Sequence, residues 1–501
     1  LSDTQRLTLR SDRVVEANAL DEAAVTTVTR IGCDDVVERA LLGAATSQAD
    51  DDHIRILENR GAERLKHAII AGNRRHNKHL PDKLGYAVSS GLWTWLADNA
   101  ETPELPDGTP VKLLLQTAFL FVSLILLPGS ANGPRRRAAG SGLALLFAAA
   151  SLPALAALPV ERIKLPPGFH IEVLSDAVPS ARGMTLSPKN ILYIGSLDGH
   201  VYALELQDGH VTARHVIASG LETPAGVVWH DGALYVSAVS KILRFDAIDS
   251  HLNDPPKPVI VTDKLPTETH HGWKFLAFGP DGKLYVPQGA PCNVCLKDRD
   301  RFGLIGRMDP DGSHYEVVAR GIRNSVGFAW HPQTHDLWFT DNGRDLLGDD
   351  VPDDKLNRAP RAGMDFGFPF CHGGDTLDPE FGKDRSCSSF TPPVVKLGAH
   401  VAALGMRFYT GPMFPAAYRN SIFIAEHGSW NRSKKVGYRV VRVSVDPNGA
   451  NARQEVFAEG WLQPGETVWG RPADVQPLPD GSLLISDDYA GAVYRVTYSA
   501  P

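Results

Sequence analysis

The residues best suited to chemistry are few, and they fall in the C-terminal half of the chain. His270-His271 stand just ahead of an expected apolar strand, Phe275–Phe278, within His-His-Gly-Trp-Lys-Phe-Leu-Ala-Phe-Gly-Pro-Asp-Gly-Lys-Leu-Tyr-Val. A neutral imidazole is the side chain best poised to take a proton near pH 7, so His271 is a candidate general base. The plain alternative is a structural histidine. Gly321-Ile322-Arg323-Asn324-Ser325-Val326-Gly327 sets a fixed cationic fork beside a neutral amide. A surface turn with an ion pair is the bland reading of that stretch. Asp341-Asn342-Gly343-Arg344-Asp345, followed by Asp349-Asp350 and Asp353-Asp354, is rich in oxygen donors, which favours calcium. It lacks the EF-hand spacing and terminal Glu, so backbone carbonyls around Gly343 would have to contribute; a solvated acidic loop competes. Arg471, in Gly470-Arg471-Pro472-Ala473-Asp474-Val475, could hold a carboxylate bidentately or pair with Asp474.

The elements that must position these residues form a repeated pattern. From Leu165 onward, short β-prone runs alternate with Gly, Pro, Asp and Asn turns. A turn, an apolar-aromatic-apolar strand, a second turn and a second strand recur. Ile191–Ile194 pairs with Gly199–Tyr202, Asp231–Val236 with Lys241–Phe245, and Pro280–Val286 with Gly303–Met308. Asp336–Phe339, Ser421–Ala425 with Gly437–Val443, and Pro479–Ile485 with Gly491–Val496 continue the series. Six such units predict an all-β chain, a six-bladed β-propeller over 159–501. An open sandwich with irregular repeats is the alternative.

Upstream, the reading is thinner. Residues 1–130 carry helix-compatible segments but no defensible motif, and are expected to be an extension or upstream read-through. His76 and His79 lack a carboxylate or Cys partner nearby and read as a basic solvated loop, and Cys33 stands alone. Leu113–Leu127 is short for a membrane span, which needs about twenty residues. Within 131–158, Arg135-Arg136-Arg137, the apolar run Leu143–Leu152 and Ala154-Leu155-Ala156 have the three parts of a secretory signal. The expectation is a mature start near Ala157 and a periplasmic or secreted protein, with an inner-membrane anchor as the rival. The formal net charge of -7, without long runs, gives no basic face for nucleic acid.

Four cysteines fall in the repeated region, Cys292-Asn293-Val294-Cys295 and Cys371 with Cys387. One C-x2-C invites a zinc site, but the second pair does not have that spacing. An export signal upstream favours disulfides, Cys292–Cys295 and Cys371–Cys387.

Taken in order, these motifs resemble the glucose/sorbosone dehydrogenase family, quinoproteins that use pyrroloquinoline quinone (PQQ), and its L-sorbosone dehydrogenase-like branch in particular. The likeness runs over Leu165–Val496 and rests on His270–Phe275, Phe278–Val286, Gly321–Gly327, Leu337–Asp345, Asp365-Phe366-Gly367-Phe368-Pro369, Glu426-His427-Gly428-Ser429-Trp430-Asn431-Arg432 and Arg471–Val475. The resemblance implies a six-bladed propeller with PQQ over the channel mouth, calcium beside it, and a sugar or sugar-derived aldehyde or alcohol as substrate. It casts His271 as the general base, and Arg323 and Asn324 as the quinone contacts. Arg323 would also stabilise developing negative charge. Gly343 and Arg344 would hold calcium through their carbonyls, and Arg471 a PQQ carboxylate. An electron acceptor such as a cytochrome or a quinone is the implied partner. The sequence departs from the soluble glucose dehydrogenases at three points. Ala473 stands where they carry a second arginine, and His270 where they carry Asp. Their quinone-contacting lysine has no match near Ala425–Ser429, with Lys434 and Lys435 further on. A non-catalytic sugar-binding propeller and a calcium-dependent lactonase are the rival functions.

Overall fold

The computed structural model describes residues 157–500. The N-terminal extension, both apolar stretches, His76, His79, Cys33 and all but the last two residues of the signal-like segment lie outside the described residues. Among the described residues the helical pieces are three-residue 3-10 turns, and no helix is long and apolar enough to cross a membrane.

Six antiparallel sheets make the six blades. Blade one runs Ala181–Leu186, Ile191–Ser196, Val201–Gln207 and His210–Ala218; blade two Val227–His230, Ala233–Ala238, Lys241–Asp246 and Val259–Thr262. Blade three is Ala277–Phe278, Leu284–Gln288, Leu304–Met308 and Glu316–Arg320, extended by the parallel strand Met364–Asp365. Blade four is Phe328–Trp330, Leu337–Asp341, Asp353–Ala359 and Val395–Ala399; blade five Ala403–Phe408, Ile422–Glu426, Arg439–Ser444 and Arg453–Glu459. Blade six is Pro472–Pro477, Leu483–Asp487 and Ala492–Tyr498, and its outer strand is Phe169–Ser175 from the start of the domain. That last pairing closes the ring and covers an edge that would otherwise be open.

Local sequence explains why these runs become strands. The second strand of every blade is buried at each position. It lies between two neighbouring blades, so it reads as a continuous apolar run rather than an alternation. The outer strand His210–Ala218 instead alternates exposed and half-buried positions over most of its length. Two hairpins turn on Asp-Gly pairs: Asp208-Gly209 and Asp231-Gly232 all have positive φ, as a two-residue type I′ turn demands.

Neighbouring blades are locked near the axis. A Cβ on Gly226 would sit 1.9 Å from the carbonyl oxygen of Lys274, so only glycine fits there. Three hydroxyls at or near the ends of second strands reach the inner segment of the next blade. Ser237 donates to the Lys274 carbonyl at 2.9 Å, Thr340 to Leu404 at 2.7 Å and Ser486 to Arg182 at 2.8 Å. This packing corrects one expectation. Only Ala277–Phe278 of the run Phe275–Phe278 joins the sheet. Phe275 and Leu276 are buried ahead of it, with the Phe275 ring edge-on to Phe328 and beneath the Arg407 guanidinium. The chain there packs on side chains of the following blades instead of a ladder partner.

Candidate functional site at one mouth of the propeller

In an antiparallel blade the start of the first strand and the end of the second lie at the same end. His271 precedes the first strand of blade three, Arg323 and Asn324 that of blade four, and Arg471 that of blade six. Gly343 and Arg344 follow the second strand of blade four. All the residues singled out for chemistry therefore gather at one mouth of the axial channel.

His271 sits in a tight turn closed by Gly272 N–H donating to the Thr269 carbonyl at 2.8 Å, and has φ 52°. A left-handed His is uncommon and is held there by its surroundings. Its Nδ1 lies 2.7 Å from the Ala290 carbonyl oxygen. A carbonyl can only accept, so Nδ1 carries the proton and Nε2 keeps the lone pair. Burial, then the Arg323 charge and His270, hold the His271 imidazole well below its ordinary value; the bond to Ala290 opposes them. His271 and Asn324 flank Gly289, where an added Cβ would lie 2.6 Å from the His271 Cβ and 3.2 Å from Asn324 Oδ1.

Arg323 is more occupied than its sequence suggests. Nε donates to the Asn293 carbonyl at 2.8 Å, and Nη2 to Asn293 Oδ1 at 3.1 Å and to Asp345 at 2.7 Å. Nη1 has only a 3.5 Å contact, to the Asn342 carbonyl. Asn293 lies inside the Cys292–Cys295 disulfide loop, so that bridge shapes the cradle of the arginine. Asp345 is fixed further by Asn431 at 2.9 Å. The backbone N–H of Asn324 is clamped by Asp341 at 2.9 Å, just as that of Arg471 is clamped by Asp487 at 2.8 Å. Second-strand carboxylates thus fix the loop residues that approach the mouth.

The calcium expectation meets a mixed donor set. Among the described residues no three His, Cys, Asp or Glu converge as a metal cluster, so carboxylates alone would not hold an ion. The carbonyls of Gly343 and Arg344 accept no hydrogen bond from the described residues and are free to do so. Their loop is anchored by buried Asp354, whose two oxygens accept from Gly343 N–H and Ala402 N–H, each at 2.7 Å. Burial pushes Asp354 up to about 7, against these two bonds. The Arg344 guanidinium turns away to Asp378 at 2.5 Å, in the insertion stapled by Cys371–Cys387. That leaves its backbone, not its side chain, for the mouth.

Arg471 belongs to a second cluster. Nε and Nη2 donate to the carbonyls of His427 and Gly428 at 3.3 and 3.1 Å, and its guanidinium stands 5.6 Å from the Tyr438 ring centre. No carboxylate among the described residues forms an ion pair with it, including Asp474, which pairs with Arg407. A half-buried guanidinium with no ion-pair partner of its own fits a carboxylate ligand. Beside it His427 Nε2–H donates to the Asp488 carboxylate at 2.8 Å, and Asp488 pairs with Arg182 at 2.7 Å. Burial and Arg471 push His427 down to about 4.

Sequence reasoning gave no role to Asn293, Asp488 or Arg182 and read Asp345 as a possible calcium donor rather than as the partner of Arg323, because each acts through a residue distant in sequence. A usable signal existed for the burial of Asp341 and Asp487: a carboxylate ending a largely apolar strand between two blades has to be buried against a donor. Both disulfides are present, Cys292–Cys295 and Cys371–Cys387, which consumes all four sulfurs and sets zinc aside.

Comparisons with known proteins agree with this architecture. An uncharacterized protein of Borreliella burgdorferi is 34% identical over 349 residues, spanning 67% of this chain and 91% of that protein. Three solved structures share the fold. A Trichoderma reesei carbohydrate-active enzyme of family AA12 is 19% identical with a TM-score of 0.59, over 67% of this chain and 98% of its own. The holo form of the pyranose dehydrogenase PQQ domain from Coprinopsis cinerea is 17% identical, TM-score 0.56, over 67% and 97%. The soluble aldose sugar dehydrogenase from Escherichia coli is 21% identical, TM-score 0.51, over 66% and 100%. The family described as glucose/sorbosone dehydrogenase matches residues 239–495, slightly more than half of the chain. This chain is a six-bladed propeller that belongs to the glucose/sorbosone dehydrogenase family.

Proposed function

We propose that this protein is a PQQ-dependent dehydrogenase that oxidises a sugar or a sugar-derived aldehyde or alcohol, sorbosone-like or aldose-like. The observation that carries the reading is His271: one tautomer, Nε2 unprotonated, beside Arg323 and Asn324 at the channel mouth. His271 Nε2 takes the hydroxyl proton of the substrate. Nδ1–H stays on the Ala290 carbonyl, which keeps the ring oriented as its charge changes. Arg323 and Asn324 stabilise negative charge that develops next to the base. Arg471 binds a carboxylate of the cofactor, and the carbonyls of Gly343 and Arg344 contribute oxygen ligands to calcium. When bound, the quinone would accept the hydride and the metal would polarise its carbonyl. The natural electron acceptor is a cytochrome or a quinone in this reading, and the setting is periplasmic or secreted.

Reconstitution decides between this reading and its rivals. With PQQ and calcium, the protein should acquire quinone absorbance and reduce dye with sugars or sugar aldehydes in a substrate panel. A lactonase would need calcium without quinone, and a binding propeller would reduce no dye; either result would overturn the proposal.

A further inference from the structure

A cavity of about 20 Å³ lies among the inner segments of the blades, lined among others by Arg182, Ala225, Trp273, Lys274, Val326 and Asp474. These residues come from five blades or their approach loops. Two buried donors here lack acceptors, and a third, Lys274 Nζ, has one only. Arg182 spends Nη2 on Asp488, but its buried Nε has no partner among the described residues. Trp273 Nε1 is buried and also unpartnered. Lys274 Nζ makes one hydrogen bond, to the Gly272 carbonyl at 2.6 Å, although the residue is only 2% exposed. The guanidinium of Arg182 lies 5.5 Å from the Trp273 ring centre, so two of the three donors come from adjoining side chains.

Charge points the same way. Arg182 is balanced by Asp488, and Arg407 by Asp474. Asp474 has no capacity to spare: its oxygens already accept from Met184 N–H, Val475 N–H and both Arg407 nitrogens. Among the described residues Lys274 is a buried cation with no ion pair, and only the more distant Glu268 and Glu222 charges favour its charged form. Burial pushes it down to about 8, which still leaves it charged at neutral pH. A buried ammonium with most of its donors idle is costly unless an acceptor is supplied.

We propose that this cavity is a binding site for a small monovalent anion of chloride or formate size, held by Arg182 Nε, Trp273 Nε1 and Lys274 Nζ. The volume admits one or two water-sized groups and excludes a quinone or a sugar. Ala473, two residues from Arg471, also lines the cavity, so the ion would sit beside the proposed cofactor site, but its binding does not require that the mouth perform redox chemistry. The ion would tie the inner segments of blades one and three together.

Chloride and formate can be titrated into the full chain in a buffer of large organic anions. Calorimetry and the chloride NMR line width report binding, and the melting temperature reports linkage. Wild type should show saturable binding and a melting temperature that rises with anion. Trp273→Phe keeps the ring and removes one N–H, and should weaken binding about tenfold or more, as loss of a hydrogen bond to a charged group does. Lys274→Met should abolish the response; if that variant fails to fold, Trp273→Phe decides alone. No saturable response in wild type would mean water alone fills the cavity and would sink the proposal. Wild-type affinity in Trp273→Phe would do the same.

Discussion

The His271 imidazole donates from Nδ1 to the Ala290 carbonyl at 2.7 Å, and Ala290 N–H in turn donates to the Arg323 carbonyl at 2.8 Å. A proton acceptor and a cationic residue from two blades are therefore joined through one backbone unit. The site is assembled by the turn after a second strand, which neither motif reveals by itself.

His271→Ala should lower turnover by about 10²–10⁴-fold, the usual contribution of a positioned general base. PQQ and calcium should still bind, because neither rests on an imidazole in this arrangement. His270→Ala should do less, since it is His271, not His270, that is oriented by the Ala290 carbonyl; the His270 ring stands 4.1 Å from that of His271. Steady-state kinetics on both variants test the assignment. A dead His270 variant beside an active His271 variant would shift the base by one residue.

The acid limb of the pH profile should lie low. His271 works as a base only when neutral, so activity rises with pH through its pKa and then levels. Burial and Arg323 move that pKa well below the ordinary value, so the fall should come only below about pH 6.5. An acid limb of kcat/KM centred above 7 and assigned to this group would contradict the geometry.

Arg471→Ala should weaken PQQ binding by about 1.5–3 kcal/mol, the value of a charge-assisted hydrogen bond. The rest of its cluster should survive, because Asp488 keeps Arg182 and His427 as partners. An unchanged PQQ titration would move the cofactor carboxylate elsewhere.

Asp354→Asn replaces a two-oxygen acceptor by a one-oxygen one. Either Gly343 N–H or Ala402 N–H then loses its partner, and stability should fall by about 1–3 kcal/mol. Calcium affinity should fall with it, because the Gly343–Arg344 backbone is no longer held. Calcium titration and chemical denaturation check the two effects separately; lower stability with unaltered calcium affinity would place the ion off this loop.

The Cys292–Cys295 bridge should matter to turnover more than to folding. Its short loop holds Asn293 on Arg323, and no core strand depends on it. Replacing both cysteines by serine should reduce kcat and leave the melting temperature nearly unchanged. The Cys371–Cys387 bridge closes a longer loop, and its loss should cost about 3 kcal/mol in the chain-entropy picture.

The sequence alone determined the blades and the names of several site residues. Continuous apolar runs bounded by turn residues have one outcome in a ring of sandwiched sheets, and Asp231-Gly232 could close only a tight hairpin. His271, Arg323, Gly343 and Arg471 were legible because each stands alone beside a repeating scaffold. Tertiary structure decided what they can do. The tautomer of His271 depends on a carbonyl nineteen residues away, and Arg323 is paired with Asp345 and Asn293 rather than left open. Ring closure by Phe169–Ser175, and the burial of Lys274 and Arg182 against one cavity, depend on blades far apart in the chain. Short-range pattern fixes which face of a strand is buried. Which polar groups meet at the end of that strand is set by how six sheets close around one axis.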